Sequence, residues 1–112
     1  MDIEVRGLCK AKVIKLRGKL SLGDAVDRLR ETLDDLMRSG DSYLVLDLSE
    51  VPMIDSSGIG LLVKSLTSAK QLGGSVKLLN PSKFSLQTLK MIGLLYLFEI
   101  FEDQQQAVAS FG

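Results

Sequence analysis

The sequence predicts an α/β domain, one mixed sheet with helices packed against it. Two observations carry that expectation. Short apolar segments of strand character alternate along the chain with segments of helical period. The 112 residues, 46% hydrophobic and 25% charged, have the size and balance of one globular domain over residues 1–112.

At the start, Ile3 and Val5 alternate with Asp2, Glu4 and Arg6, the pattern of a half-buried strand, and Gly7 suits a turn. A second strand pattern spans Ala11 to Arg17, closed by Gly18, so the pair is expected to form an antiparallel hairpin. From Ser21 the period changes. Val26, Leu29, Leu33, Leu36 and Met37 make one helix face, charged residues fill the other, and Ser39-Gly40-Asp41 is a stop signal. Tyr43 to Leu48 is nearly continuous in apolar character and suits a central strand.

Asp55-Ser56-Ser57-Gly58 opens the next helix, with Ile59, Leu62, Val63, Leu66 and Ala69 as its expected buried stripe and Gly73-Gly74 at its end. Ser75 to Leu79 reads as a strand and Asn80-Pro81-Ser82 as a turn into a helix over 82–92. A strand near 97–101 and a last helix over Gln104 to Ser110, capped by Asp103, complete the chain. Right-handed crossovers make the strands at 43–48, 75–79 and 97–101 parallel.

Composition removes many functions. Lys+Arg 14 balance Asp+Glu 14 and no long basic run occurs, which makes nucleic acid a poor default partner. With no His, the commonest general base and metal ligand is missing. The single Cys9 has no partner for an internal disulfide, a CxxC site or a cysteine-rich zinc centre. The charged, alternating N-terminus is unlike a signal peptide, and no apolar run reaches the length of a membrane helix. A cytoplasmic protein without membrane insertion is expected. Gly58-Ile59-Gly60 lacks the third glycine of a dinucleotide fingerprint, and no P-loop is present. Asp47 and Asp55 are better explained as a strand end and a helix cap than as a metal pair. Lys64, Lys70, Lys77, Lys83 and Lys90 are spaced singly, as solvated charges are.

One segment is dense enough to carry a function, Val51 to Leu61. Its hydroxyls sit at a helix N-terminus, where Asp55 or Ser56 can cap free amides. The same amides and the positive helix end tolerate an added phosphate at a serine. That phosphate would add roughly −1.5 to −2 charges beside Asp55 and repel a partner bound there. With Ile59 at the centre of the buried stripe, Ser57, Leu61, Lys64 and Ser68 face outward, which makes Leu61 a candidate protein contact.

The run Leu44-Val45-Leu46-Asp47-Leu48-Ser49, Val51, Ile54-Asp55-Ser56-Ser57-Gly58-Ile59-Gly60 resembles the STAS domain of bacterial anti-sigma factor antagonists. Gly18-Lys19-Leu20, Gly73-Gly74, Asn80-Pro81-Ser82, Gly93-Leu94 and Phe98 to Phe101 add to the resemblance, which covers essentially the whole chain. It implies a four- to five-stranded mixed sheet with about four helices mainly on one face. It implies a non-enzymatic, cofactor-free monomer or weak dimer that binds an anti-sigma factor serine kinase and so releases a sigma factor. Ser56 matches the family's phosphoacceptor. The kinase would supply ATP and magnesium, and a PP2C-type phosphatase would reset the switch. The partner surface implied comprises Ser21, Asp55, Ser56, Ser57, Gly58, Leu61 and Lys64. Lys19 and Ser21 stand where the family often has acidic residues, which leaves this surface less acidic. A STAS domain can also be a non-phosphorylated structural subunit, of a stressosome or a lipid-transport complex.

Overall fold

The computed structural model describes residues 1–111; the last residue of the expected domain, Gly112, lies outside them. A hairpin begins the chain, strand β1 (Asp2–Leu8) running antiparallel to β2 (Ala11–Arg17). Gly7 lies inside β1 opposite Lys12, and the reversal falls on Cys9, which takes the left-handed φ of 56°. Helix α1 (Asp24–Arg38), strand β3 (Tyr43–Glu50), helix α2 (Ser56–Gln71), strand β4 (Ser75–Leu79) and helix α3 (Lys83–Met91) then alternate. The sheet order is β1-β2-β3-β4-β5, and every pairing after the hairpin is parallel.

The end of the chain differs from the sequence-based expectation. In place of a strand over 97–101 there is a 3-10 turn (Leu95–Leu97) and a strand, β5, of only Ile100–Phe101. The amides of Leu97 and Phe98 bond back to the carbonyls of Leu94 and Leu95, while Leu94, Leu95 and Leu97 turn onto the core. Burial of these side chains outweighs early pairing with β4, which starts with Leu78 N–H donating to the Glu99 carbonyl at 3.0 Å.

Three helices stop in the same way. Gly40, Gly73 and Gly93 follow the ends of α1, α2 and α3 with φ of 92°, 88° and 77°. In each case the glycine and its successor return their amides to the last turn, as Gly73 does to Lys70 and Gly74 to Ala69.

Alternation of side chains gives the sheet two covered faces. Ile14, Leu16, Leu44, Leu46, Leu48, Val76 and Leu78 share the main core with residues of α1, α2 and α3. On the second face Ala11, Val13, Val45 and Leu79 meet Ala107 and Val108 of α4 (Gln104–Ala109). Asp103 caps α4, accepting from the Gln105 and Gln106 amides. The helices thus lie mainly on one face, as expected.

Lys77 departs from the solvated reading, being only 6% exposed. It projects to the second face, where the folding back of α4 covers it. Its ammonium lies 2.7 Å from the Glu99 carboxylate, donates to Ser110 Oγ at 2.6 Å, and sits 4.3 Å from the centre of the Phe111 ring. Three partners replace the water that burial removes.

Candidate partner-binding site at the N-terminus of α2

The site grows from a staple between two loops. Leu20, beyond β2, forms a parallel bridge with Ile54; its amide donates to the Met53 carbonyl and its carbonyl accepts from Asp55 N–H. Ser21 and Leu22 are thereby carried to the start of α2. There Asp55 acts twice. One carboxylate oxygen accepts from Gly58 N–H at 2.9 Å, capping the helix, and the other accepts from Leu22 N–H at 2.8 Å, fastening the neighbouring loop.

Those amides, Gly58 first and Leu22 second, hold the Asp55 carboxyl below the usual aspartate range. Its contribution to stability is complete above the ordinary aspartate pKa and is lost as pH falls through the lower folded-state value. Asp55→Asn retains an acceptor for Gly58 but turns an NH2 toward the Leu22 amide. We expect this variant to be about 1 kcal/mol less stable than wild type near neutrality. In acid melts the gap should close as the wild-type carboxyl protonates, whereas a gap constant with pH would show that its charge contributes nothing.

Ser56 begins α2 and is exposed, with its hydroxyl outside the bonds that hold the turn; Ser57 is half-buried beside it. Ser21 is half-buried in the stapled loop, and Lys64 lies exposed two turns along α2 in the same outward row as Ser56 and Gly60. Asp55, Ser56, Ser57 and Ser21 are therefore gathered at one place, with Lys64 at its margin.

Two expected contacts are not surface residues. Gly58 is buried, and a Cβ there would meet Ile54 Cγ2 at 2.7 Å and the Leu20 carbonyl oxygen at 2.8 Å. Its role is to let α2 approach the staple. Leu61 is 6% exposed and belongs to the main core, which corrects its outward placement. The buried arc of α2 centres on Gly58, Leu62, Ser65 and Ala69, with Ile59 and Leu66 on one flank and Leu61 on the other. Helix α2 packs against both α1 and β4, so its arc is wider than one stripe. Small side chains mark the line of closest approach, and a wheel weighted by hydrophobicity passes over them.

Sequence reasoning missed Leu22. It is 77% exposed, and its amide is held by Asp55, so an apolar side chain is presented next to Ser56 on a fixed backbone. The signal available was a second Leu, between Ser21 and Gly23, in a loop where Leu20 already supplies the one apolar residue that the core needs.

Asp47 accepts from Ser49 N–H, and no cluster of three potential metal ligands occurs among the described residues. No helix among them is long and apolar enough to cross a membrane.

Comparison with known proteins agrees with this fold. The TM1081 homolog of Thermotoga neapolitana, assigned as an anti-sigma factor antagonist, is 28% identical over 75 residues. That match covers 67% of this chain and 66% of the relative, just under two thirds of its length. The crystal structure of TM1081 from Thermotoga maritima, with the same assignment, superposes with a TM-score of 0.90 at 20% identity, covering 97% of this chain and 93% of that one. The anti-sigma factor antagonist SpoIIAA in its unphosphorylated form gives 0.84 at 21% identity, covering 97% and 95%. SpoIIAA of Bacillus in its phosphorylated form gives 0.77 at 22%, covering 97% and 98%. The model of the STAS domain matches residues 1–107, from the first strand into the last helix, and the chain belongs to the STAS domain family.

Proposed function

We propose that this protein is an anti-sigma factor antagonist that binds an anti-sigma factor serine kinase through the N-terminus of α2 and is released when Ser56 is phosphorylated. The reading rests on one observation. Ser56 is exposed directly beside a carboxylate whose two oxygens are both tied to backbone amides. Asp55 cannot swing away from a new neighbour without giving up the cap and the staple. A phosphate of about −1.5 to −2 charges would concentrate negative charge at one point of the contact surface, while the helix end eases the local cost. Leu22 supplies the apolar part of that surface, and a partner desolvating it would meet the phosphate first. The existence of a phosphorylated form of the similarly folded SpoIIAA supports the reading. The chain itself is then substrate and ligand, and a PP2C-type phosphatase restores it.

Incubation with the cognate kinase, ATP and magnesium, followed by mass spectrometry, should place one phosphate on Ser56. Ser56→Ala should hold the kinase persistently, and Ser56→Asp should bind it at least about tenfold more weakly. Equal affinities would reduce Ser56 to a helix-start residue. Retained binding without phosphate transfer would favour a constitutive structural subunit, a reading consistent with Lys19 and Ser21 in the neighbouring loop.

A further inference from the structure

Along α3 the usual inside-outside order is inverted. Its inward positions hold Ser85 and Leu89, at 1% and 0% exposure, while Phe84 and Met91 stand outward at 59% and 79%. Ile92 continues the outer row, and Tyr96 is exposed on the 3-10 turn packed against α3. Phe84, Met91 and Ile92 line one open groove of about 400 Å3 together with Gln87 and Thr88. Single exposed apolar side chains are ordinary, but several gathered on one short helix mark a contact surface.

The helix cannot roll to hide them. Ser82 caps it, accepting from Ser85 N–H at 3.1 Å and donating to the Pro52 carbonyl at 3.2 Å. Leu89 is locked into the main core, and the Gly93 turn fixes the far end.

Charge narrows the occupant. From Asn80 to Phe98 the chain carries Lys83 and Lys90 and no Asp or Glu. Both lysines are exposed, and neither enters an ion pair among the described residues. The next acid along the chain, Glu99, is engaged by Lys77. In an isologous contact a second copy would present the same lysines and no acid of this segment to balance them. Lipid-binding surfaces usually gather roughly four to eight basic residues, more than this face has, and a groove suits an inserted side chain better than a bilayer.

We propose that the outer face of α3 docks an acidic amphipathic helix of a partner protein, its apolar row entering the groove and its carboxylates meeting Lys83 and Lys90. The groove shares no residue with the surface around Ser56, and the proposal does not rest on the function proposed for that surface.

Selection of displayed short random peptides on the immobilised full chain tests this directly. The enriched peptides should carry apolar residues at helical spacing flanked by Asp or Glu. The best of them, made synthetically, should lose roughly tenfold or more in affinity to Met91→Glu and to the double variant Lys83→Glu, Lys90→Glu. Both variants alter exposed side chains, so circular dichroism should show an unchanged fold, and Ser56→Asp should bind the peptide like wild type. Enrichment of basic or uncharged peptides, or no enrichment, would overturn the proposal. So would self-association that Met91→Glu abolishes in sedimentation, or co-sedimentation with phosphatidylglycerol vesicles that the double lysine variant abolishes.

Discussion

Gly74→Ala is expected to cost more than about 3 kcal/mol, a large share of the ~5–15 kcal/mol that holds a domain of this size. A Cβ at Gly74 would overlap the carbonyl carbon and oxygen of Ser42. These are backbone atoms of a buried residue at the entrance to β3, and the Ser42 carbonyl also accepts from Ser75 N–H at 2.8 Å. Relief would require β4 to shift from β3 where their parallel ladder begins, at Tyr43 opposite Ser75. Gly73 offers the internal control. A Cβ there meets nothing within 4 Å, and only its φ of 88° opposes a side chain. Gly73→Ala should cost about 1–2 kcal/mol. Denaturant melts of both variants check the ranking, and equal losses would mean that the contact with Ser42 relaxes freely.

The second large effect separates the two glycines of Gly58-Ile59-Gly60. Gly58→Ala forces a methyl against Ile54 and against the Leu20 carbonyl, the same carbonyl that accepts from Asp55 N–H. Even after the gain in helix propensity, a net loss of about 1–3 kcal/mol is expected. That corresponds to a melting temperature lower by roughly 5–15 °C. The strain falls on the staple that positions Leu22 and Ser56, so the phosphate transfer proposed for Ser56 should slow as well. Gly60 faces solvent, has no atom within 4 Å of a would-be Cβ, and has no left-handed φ. Gly60→Ala should stabilise by about 0.5–1 kcal/mol. Opposite signs two residues apart are measurable in one set of thermal melts. A matching sign at both positions would contradict the close approach of α2 to Leu20.

Most of the architecture was legible because its signals are local. Glycine after a helix, a Ser or Asp before one, and the change from period two to helical period are properties of neighbouring residues. They place α2 and β4 nearly to the residue, while α1 starts at Asp24, three residues after the change of period at Ser21, and β3 runs on to Glu50. The capped start of α2 was legible for the same reason, since an acceptor such as Asp55 placed before free helix amides is a local feature.

The misplacements share one physical origin, contacts between segments distant in sequence. Hydrophobicity alone puts Ile59 at the centre of the helix face and so turns Leu61 outward. Packing against α1 and β4 moved that centre to Gly58, Leu62, Ser65 and Ala69. Leu22 carries little local signal, because its position depends on a hydrogen bond to Asp55, 33 residues away. Lys77 looked solvated until α4 returned over it with Ser110 and Phe111.

By itself the sequence determined the α/β order of elements, the ends of the helices and the acid-hydroxyl cap at the start of α2. These follow from backbone stereochemistry and from the few residue types that satisfy free amides and carbonyls. Only the tertiary structure decided which side chains around that helix start are exposed and which are buried. It buries Leu61, leaves Leu22 and the outer row of α3 in solvent, and pins Asp55 between two loops. Exposure is set by what packs on each side of an element, and that depends on the whole sheet and the helices closed over it.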